Sequence, residues 1–79
     1  MTEEVNIILF GQLAQLAGSD KIIISGISDT LQLRNEVNKM FPALQHIDYA
    51  IAVGKKIVHE NILVDGRQTI ALLPPFSGG

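Results

Sequence analysis

The residues best suited to covalent chemistry stand last in the sequence, where Ser77-Gly78-Gly79 follows Pro74-Pro75-Phe76. At an average glycine usage of about 7%, a pair of glycines at a given place arises by chance in roughly one sequence in 200. A frayed chain end is the ordinary explanation of such a pair. The two prolines argue against it, because they fix φ at about −65° and stiffen the exit from the preceding strand. We therefore expect residues 74–79 to project as a flexible tail.

The chemistry open to this tail is that of the Gly79 carboxylate. A segment of four residues from Phe76 extends about 13 Å, and glycine is thin enough to enter a narrow channel while leaving its carbonyl unshielded by a Cβ. A free α-carboxylate is an anion at pH 7 and a poor electrophile until it is esterified. The tail thus predicts acyl chemistry at Gly79 that depends on a separate activating enzyme.

Other catalytic arrangements are missing from the sequence, which has no cysteine, no G-x-S-x-G elbow and no glycine-rich phosphate-binding motif. His46 and His59 lack the paired spacing of a zinc site and are expected to be surface residues rather than catalytic bases. Asp65 precedes a glycine and is interpreted as a turn residue, with acid catalysis as the alternative. Lys55 and Lys56 are expected to solvate a hairpin tip, with a partner contact as the alternative. We predict no bound cofactor and no metal.

Composition favours one small domain, residues 1–79, with apolar surface left over for a partner: 47% of its residues are hydrophobic and the mean hydropathy is +0.29. The net charge of −2 comes with only six scattered basic residues, which excludes the electrostatic footprint of a nucleic-acid binder. The acidic start of the chain leads into a short apolar run, whereas a membrane span needs about 20 apolar residues. We expect a cytoplasmic protein with neither nucleic acid nor membrane as a partner.

The first half of the chain predicts two strands joined by a short helix. Residues 5–10 are apolar on both alternating faces, as expected of a central strand covered on both sides. Gln12–Ala17 has helical spacing and is followed by Gly18 at a C-cap position. The triple isoleucine of Lys21–Ser25 indicates the second strand.

A long helix and a β-rich second half follow. Asp29 is the predicted N-cap, with Gln32 placed as in a capping box, and Pro42 ends the helix near residue 41. Residues 49–53 and 56–58 form a predicted hairpin around a type II′ turn at Gly54-Lys55, and residues 69–73 form the last strand. This order predicts an α+β fold of the β-grasp (ubiquitin-like) type, with a mixed sheet packed against one main helix.

Three segments together resemble the small subunit of molybdopterin synthase, within the family of ubiquitin-like sulfur carriers. They are residues 72–79 (LLPPFSGG), residues 8–18 (ILFGQLAQLAG) and the pair Ala52-Val53 with residues 63–66 (LVDG) downstream. The similarity covers essentially the whole chain. A Gly-Gly end alone indicates only a sulfur carrier or a ubiquitin-like tag, and the Pro-Pro-x-Ser-Gly-Gly ending is more selective.

The resemblance implies a mechanism in which this chain is not an enzyme by itself but the sulfur-donating subunit of a sulfurtransferase complex. A ubiquitin-activating-type adenylyltransferase would use ATP to adenylate Gly79, which becomes a thiocarboxylate. The tail, through Ser77 and Gly78, would insert into the large synthase subunit and deliver sulfur to a cyclic pterin phosphate precursor of the molybdenum cofactor. Phe10 and the Pro75-Phe76 pair would contact the partner, with a plain core position as the alternative for Phe10.

Departures from the family pattern affect the choice of partner. Gly54 stands where the family commonly has asparagine, and Arg67-Gln68 stands where it has an acidic pair, which changes the charge near the expected docking face. Three other functions stay open: a sulfur carrier for thiamine or another thiolated product, a modifier joined to lysines of target proteins, and a β-grasp interaction module with an inert tail.

Overall fold

The fold is a five-stranded sheet with two α-helices, described for residues 4–75 by a computed structural model. The elements are β1 (Glu4–Leu9), α1 (Gln12–Ala17), β2 (Lys21–Ser25), α2 (Thr30–Met40), a 3₁₀ helix (Pro42–His46), β3 (Ala50–Val53), β4 (Lys56–Val58) and β5 (Ile70–Leu73). The strand order is β2-β1-β5-β3-β4, with β1 and β5 parallel and the other pairs antiparallel. The predicted mixed β-grasp sheet is confirmed.

Only one face of the sheet is covered by the described chain. In β1 the side chains of Val5, Ile7 and Leu9 are buried, whereas the intervening residues are exposed or half-buried. The buried face packs against α2 through Leu33 and Val37, which are fully buried in the same core. The prediction that the first strand is covered on both sides is therefore wrong, because both helices contribute to one core on one side of the sheet.

The start of α2 follows the capping chemistry expected from its sequence. The backbone N–H of Gln32 donates to the Asp29 carboxylate over 2.8 Å, which confirms Asp29 as the N-cap. The Gln32 side chain accepts from the backbone N–H of Ser28 at 2.8 Å, one residue before the N-cap, so the capping box is shifted by one residue. The helix ends at Met40, as Pro42 predicted.

A second set of bonds ties the loop between β4 and β5 to the same helix start. The Asn61 side-chain oxygen accepts from the backbone N–H of Leu31 at 2.8 Å and from the Thr30 hydroxyl at 3.1 Å. The Thr30 hydroxyl oxygen in turn accepts from the backbone N–H of Ile62 at 3.1 Å. These contacts join residues about thirty positions apart, and they hold the loop that leads into β5 against the helix.

The β3–β4 hairpin has the predicted two-residue loop but a different turn. Val53 pairs with Lys56 across the loop, and both central residues have positive φ, 60° at Gly54 and 73° at Lys55. Two positive φ angles define type I′, so the type II′ prediction is wrong. The right-handed strand twist favours type I′ even with lysine at the second position.

Tyr49 gives a test of this packing. The tyrosine is buried, its hydroxyl donates to the Asn38 side-chain oxygen at 2.8 Å, and the Arg34 guanidinium lies 4.7 Å from the ring centroid. Burial raises the pKa of Tyr49 above its ordinary value of 10.0, although the positive charge of Arg34 partly opposes this. The folded state therefore holds the phenolic proton more tightly, and this stabilisation is present below pH 10 and lost as pH rises through the higher folded pKa.

We expect Tyr49→Phe to lower the free energy of unfolding by about 1 kcal/mol at pH 8, since a buried hydrogen bond is removed. The difference between parent and variant should shrink above pH 10, as the parent loses stability that the variant never had. Urea unfolding at pH 8 and above pH 10 measures both values. Because Tyr49 is the only tyrosine, tyrosinate absorbance follows its titration directly. If the parent and Tyr49→Phe lost the same free energy of unfolding above pH 10, the raised pKa of Tyr49 would be contradicted.

Candidate functional site: the edge of the sheet where the tail begins

The tail begins at the sheet edge where two parallel strands end side by side. Because β1 and β5 are parallel, Phe10 after β1 and Pro74 after β5 lie at the same edge. The backbone N–H of Phe10 donates to the carbonyl of Leu72 at 3.1 Å and fixes this proximity. The structure thus brings two predicted site residues, Phe10 and Pro75, to one edge. The other predicted site residues, Phe76, Ser77, Gly78 and Gly79, lie outside the described residues.

Phe10 is a surface residue rather than a core residue. Phe10 is 46% exposed, as expected from the alternating pattern in which Ile7 and Leu9 are buried. The alternative of a plain core position for Phe10 is therefore removed. Contact with a partner stays a prediction.

The uncovered side of the sheet next to Phe10 carries a row of apolar residues. Ile8 pairs with Ala71, Ala71 pairs with Ala52, and Ala52 pairs with Ile57, so one residue from each of β1, β5, β3 and β4 lies in the row. Paired residues point to the same side of a sheet, here the side opposite the core. We call these four residues the open face. Ile57 is 44% exposed and Ile8 and Ala71 are half-buried, whereas Ala52 between them is buried at 6% exposed. The accessible part of this apolar surface is therefore formed by Ile8, Ala71 and Ile57.

Sequence reasoning missed the open face, although a signal for it exists. Residues 49–53 alternate large and small side chains, and the structure directs the large ones, including Ile51 and Val53, into the core. The small members, Ala50 and Ala52, are therefore the ones on the uncovered side. The small residues at alternate positions of this apolar strand are the feature of the sequence that marks this side of the sheet.

The titratable residues singled out in the sequence do not assemble at this edge into a catalytic set. His46 and His59 are exposed, and so are Lys55 and Lys56 at the hairpin. The Asp65 carboxylate accepts from the backbone N–H of Arg67 at 2.8 Å, which confirms the turn. Across residues 4–75, no group of three or more acidic, histidine or cysteine side chains could hold a metal ion. None of the described helices is long and apolar enough to span a membrane.

A shallow groove lies between α2 and β4. Arg34, Val58 and His59 line it, together with Leu31, Asn61 and neighbouring residues. The Arg34 guanidinium already donates to the carbonyl of Tyr49 at 3.4 Å and stacks on its ring. The Arg34 guanidinium is therefore already engaged, and His59 and Glu60 are the other titratable residues that line this part of the groove.

Comparison with known proteins settles the family. The sequence profile of the ThiS family matches residues 7–79, which includes the whole sheet from Ile7 onward and the terminal Gly78-Gly79. The chain belongs to the ThiS family. The predicted membership of the ubiquitin-like sulfur carriers is thereby confirmed. No curated protein sequence matches the chain significantly.

Several solved structures share the fold of this ThiS-family chain. Small archaeal modifier protein 1 from Methanosarcina acetivorans has a TM-score of 0.82 at 21% identity, covering 100% of this chain and 99% of its own. A Pyrococcus furiosus protein assigned as molybdopterin converting factor subunit 1 has a TM-score of 0.80 at 25% identity, covering 94% and 99%. A chain in a complex of subunits 1 and 2 of the molybdopterin-converting factor from Helicobacter pylori has a TM-score of 0.69 at 23% identity, covering 96% of this chain and 99% of its own.

Proposed function

We propose that this ThiS-family chain is a sulfur carrier whose working group is the carboxylate of Gly79. The observation that carries the proposal is the family match that runs through the Gly-Gly ending. The described residues support it in one way: they place an apolar face beside the start of the tail. In this proposal, partner proteins carry out activation and transfer, and this chain carries the sulfur.

The chemistry divides into an activation step and a sulfur step. The Gly79 carboxylate attacks the α-phosphate of ATP on the adenylyltransferase, which releases pyrophosphate and leaves an acyl-adenylate. Hydrosulfide, or a donor of sulfur at the same oxidation level, then attacks the acyl carbon, so a C–S bond forms while the C–O bond to AMP breaks and the S–H proton is lost to solvent. The product is a thiocarboxylate, in which sulfur replaces one carboxylate oxygen. Glycine suits this sequence because no Cβ obstructs attack on the carbonyl.

The destination that we propose for the sulfur is a cyclic pterin phosphate, as a step in molybdopterin synthesis. The Pro-Pro-x-Ser-Gly-Gly ending supports this destination, and so does the 25% identical Pyrococcus furiosus protein. The partner would be the large subunit of molybdopterin synthase, since the Helicobacter pylori structure is a complex of subunits 1 and 2. A carrier for thiamine or another thiolated product is the first alternative. A protein modifier is the second, because the fold is shared with small archaeal modifier proteins.

The partner-binding surface in this proposal consists of Phe10, the open face and the Pro75-Phe76 pair. An apolar face that adjoins the tail would let the partner bind the domain and receive the tail in one docking event. Gly54 lies in the hairpin turn and Arg67 is exposed in the loop before β5. We expect the replacement of the acidic pair by Arg67-Gln68 to adjust partner choice through charge, and we expect neither departure to alter the chemistry at Gly79.

The proposal is tested by the intact mass of the chain after co-expression with an activating enzyme, in the presence of ATP and a sulfur source. We expect the mass to rise by the difference between one sulfur and one oxygen atom, since a single oxygen is replaced. A second carrier of known activity serves as the control for the sulfur source. An unmodified mass, obtained while the control carrier is converted, would count against a sulfur carrier.

The destination is tested separately with the thiocarboxylated chain. Incubation of at least two equivalents of this chain, one for each dithiolene sulfur, with the large synthase subunit and the cyclic pterin phosphate is expected to yield the dithiolene product and to return Gly79 to a carboxylate. A thiocarboxylate that persists in this mixture would redirect the chain to another thiolated product. Conjugates of higher mass on blots of cell extract would instead favour the protein modifier.

A further inference from the structure

The strand β2 lies at one edge of the sheet, and alternate residues of it present their backbone N–H and C=O groups outward. In the described chain β2 is the first strand in the order β2-β1-β5-β3-β4, so it pairs with β1 alone. The backbone N–H of Leu9 donates to the carbonyl of Asp20 at 2.9 Å, which makes these two residues a hydrogen-bonded pair at the end of the ladder. Hydrogen-bonded and non-hydrogen-bonded pairs alternate along antiparallel strands. The residues of β2 whose backbone groups face outward are therefore Lys21, Ile23 and Ser25.

The hydroxyl of Ser19 occupies both outward-facing backbone groups of Lys21. It donates to the Lys21 carbonyl at 2.8 Å and accepts from the Lys21 N–H at 3.3 Å. In a hydrogen-bonded pair these two groups would bond to the N–H and C=O of one residue on a neighbouring strand. The hydroxyl thus takes the position that the backbone of an added strand would need at Lys21. Within the described chain, the outward groups of Ile23 and Ser25 have no such partner.

A second copy of this chain fits this edge, because two β2 strands are complementary when they run antiparallel about a two-fold axis at Ile23. In that register Ile23 pairs with Ile23 of the second copy, and Lys21 pairs with Ser25 at either end. All three pairs use outward-facing groups, so they form a continuous ladder. The two lysines face serines rather than each other, and Ile23, which is 53% exposed, gains an apolar cross-strand neighbour.

We propose that the edge of β2 is an interaction surface for a second copy of this chain, and that the Ser19 hydroxyl holds this edge closed. The block acts twice because the register is symmetric. With Lys21 occupied in both copies, both pairs of Lys21 with Ser25 are lost, and the central Ile23 pair alone is left. The opposite edge strand, β4, is protected by its length of only three residues. The inference is independent of the proposed chemistry at Gly79.

The experiment compares the self-association of the full chain with that of three variants by sedimentation equilibrium. Ser19→Ala removes the hydroxyl, whereas Ser19→Thr keeps it. Ser25→Ala is the matched control, because it shortens an exposed serine of the same strand without releasing Lys21. Amide hydrogen exchange, followed by NMR as the protein concentration is raised, shows whether the N–H groups of Ile23 and Ser25 enter a ladder. Circular dichroism checks that each variant is folded.

We expect Ser19→Ala to raise the dimerisation constant at least about tenfold, because it restores two of the three pairs and each net hydrogen bond is worth about two- to tenfold in an equilibrium constant. Its Ile23 and Ser25 amides should become protected as the concentration rises, while Ser19→Thr and Ser25→Ala should behave as the parent does.

Three results would overturn the proposal. The first is a Ser19→Ala chain that associates no more strongly than the parent. The second is a Ser19→Ala dimer in which the amides of Ile23 and Ser25 exchange as fast as in the monomer, since a different surface would then be paired. The third is a Ser19→Thr chain that dimerises as strongly as Ser19→Ala, because the hydroxyl would then not be the blocking group.

Discussion

Deletion of Gly79 is expected to reduce sulfur transfer by at least about 100-fold while leaving the fold intact. The deletion shortens the arm by about 3.3 Å, which is as large as the whole distance allowed between reacting atoms, about 3–3.5 Å. It leaves every core residue of the described chain in place and lies beyond the break that Pro74 and Pro75 impose on β5. The free energy of unfolding should therefore stay within about 0.5 kcal/mol of the parent. Single-turnover transfer and urea unfolding on the same preparation measure the two effects.

Addition of one residue after Gly79 is the matched control for length. The longer chain reaches at least as far as the parent, but the Gly79 carbonyl is then part of an unactivated peptide bond. We expect the extended chain to be as inactive as the deleted one and as stable as the parent. Product formation at the parental rate by either variant would show that the Gly79 carboxylate is not the working group.

Local sequence signals predicted most of the elements but not how the sheet is covered. Asp29 and Gly18 specify helix boundaries by themselves, because capping depends on a side chain or a φ angle at one position. Whether an apolar strand is covered on one face or two depends on the other elements, which its own sequence does not describe. Residues 5–10 are apolar on both faces, and the second face is uncovered in the described structure. That is the same observation that makes the open face a candidate for partner contact.

The candidate site was predictable in its chemistry and not in its geometry. The Gly-Gly ending and the two prolines lie within six residues of one another, so the tail is a prediction that needs the sequence alone. The proximity of Phe10 to Leu72, just before the tail, could not be predicted in this way, because it depends on the parallel pairing of β1 with β5 across more than sixty residues. The hydrogen bond between Asn61 and the start of α2 could not be predicted either, because it joins residues thirty positions apart in the sequence.

Phe10→Asp is expected to weaken binding of the large synthase subunit by at least about 100-fold. An unpaired carboxylate buried in an apolar interface costs several kcal/mol, and each 1.4 kcal/mol is about tenfold in affinity. Phe10 is already 46% exposed in the free chain, so the free energy of unfolding should fall by no more than about 1 kcal/mol. Titration calorimetry gives the dissociation constant, and circular dichroism checks that the fold is unchanged.

Leu31→Asp is the matched control, since Leu31 is 56% exposed on α2, which packs on the opposite side of the sheet from the open face. It adds the same charge to a similarly exposed apolar position, so any effect of net charge on association is shared by the two variants. Ile57→Asp, at the far end of the open face, tests how far the interface extends. Loss of binding with Phe10→Asp and Ile57→Asp, but not with Leu31→Asp, would assign the partner to the open face. Equal affinities for Phe10→Asp and the parent would remove Phe10 from the interface and leave the tail as the principal contact.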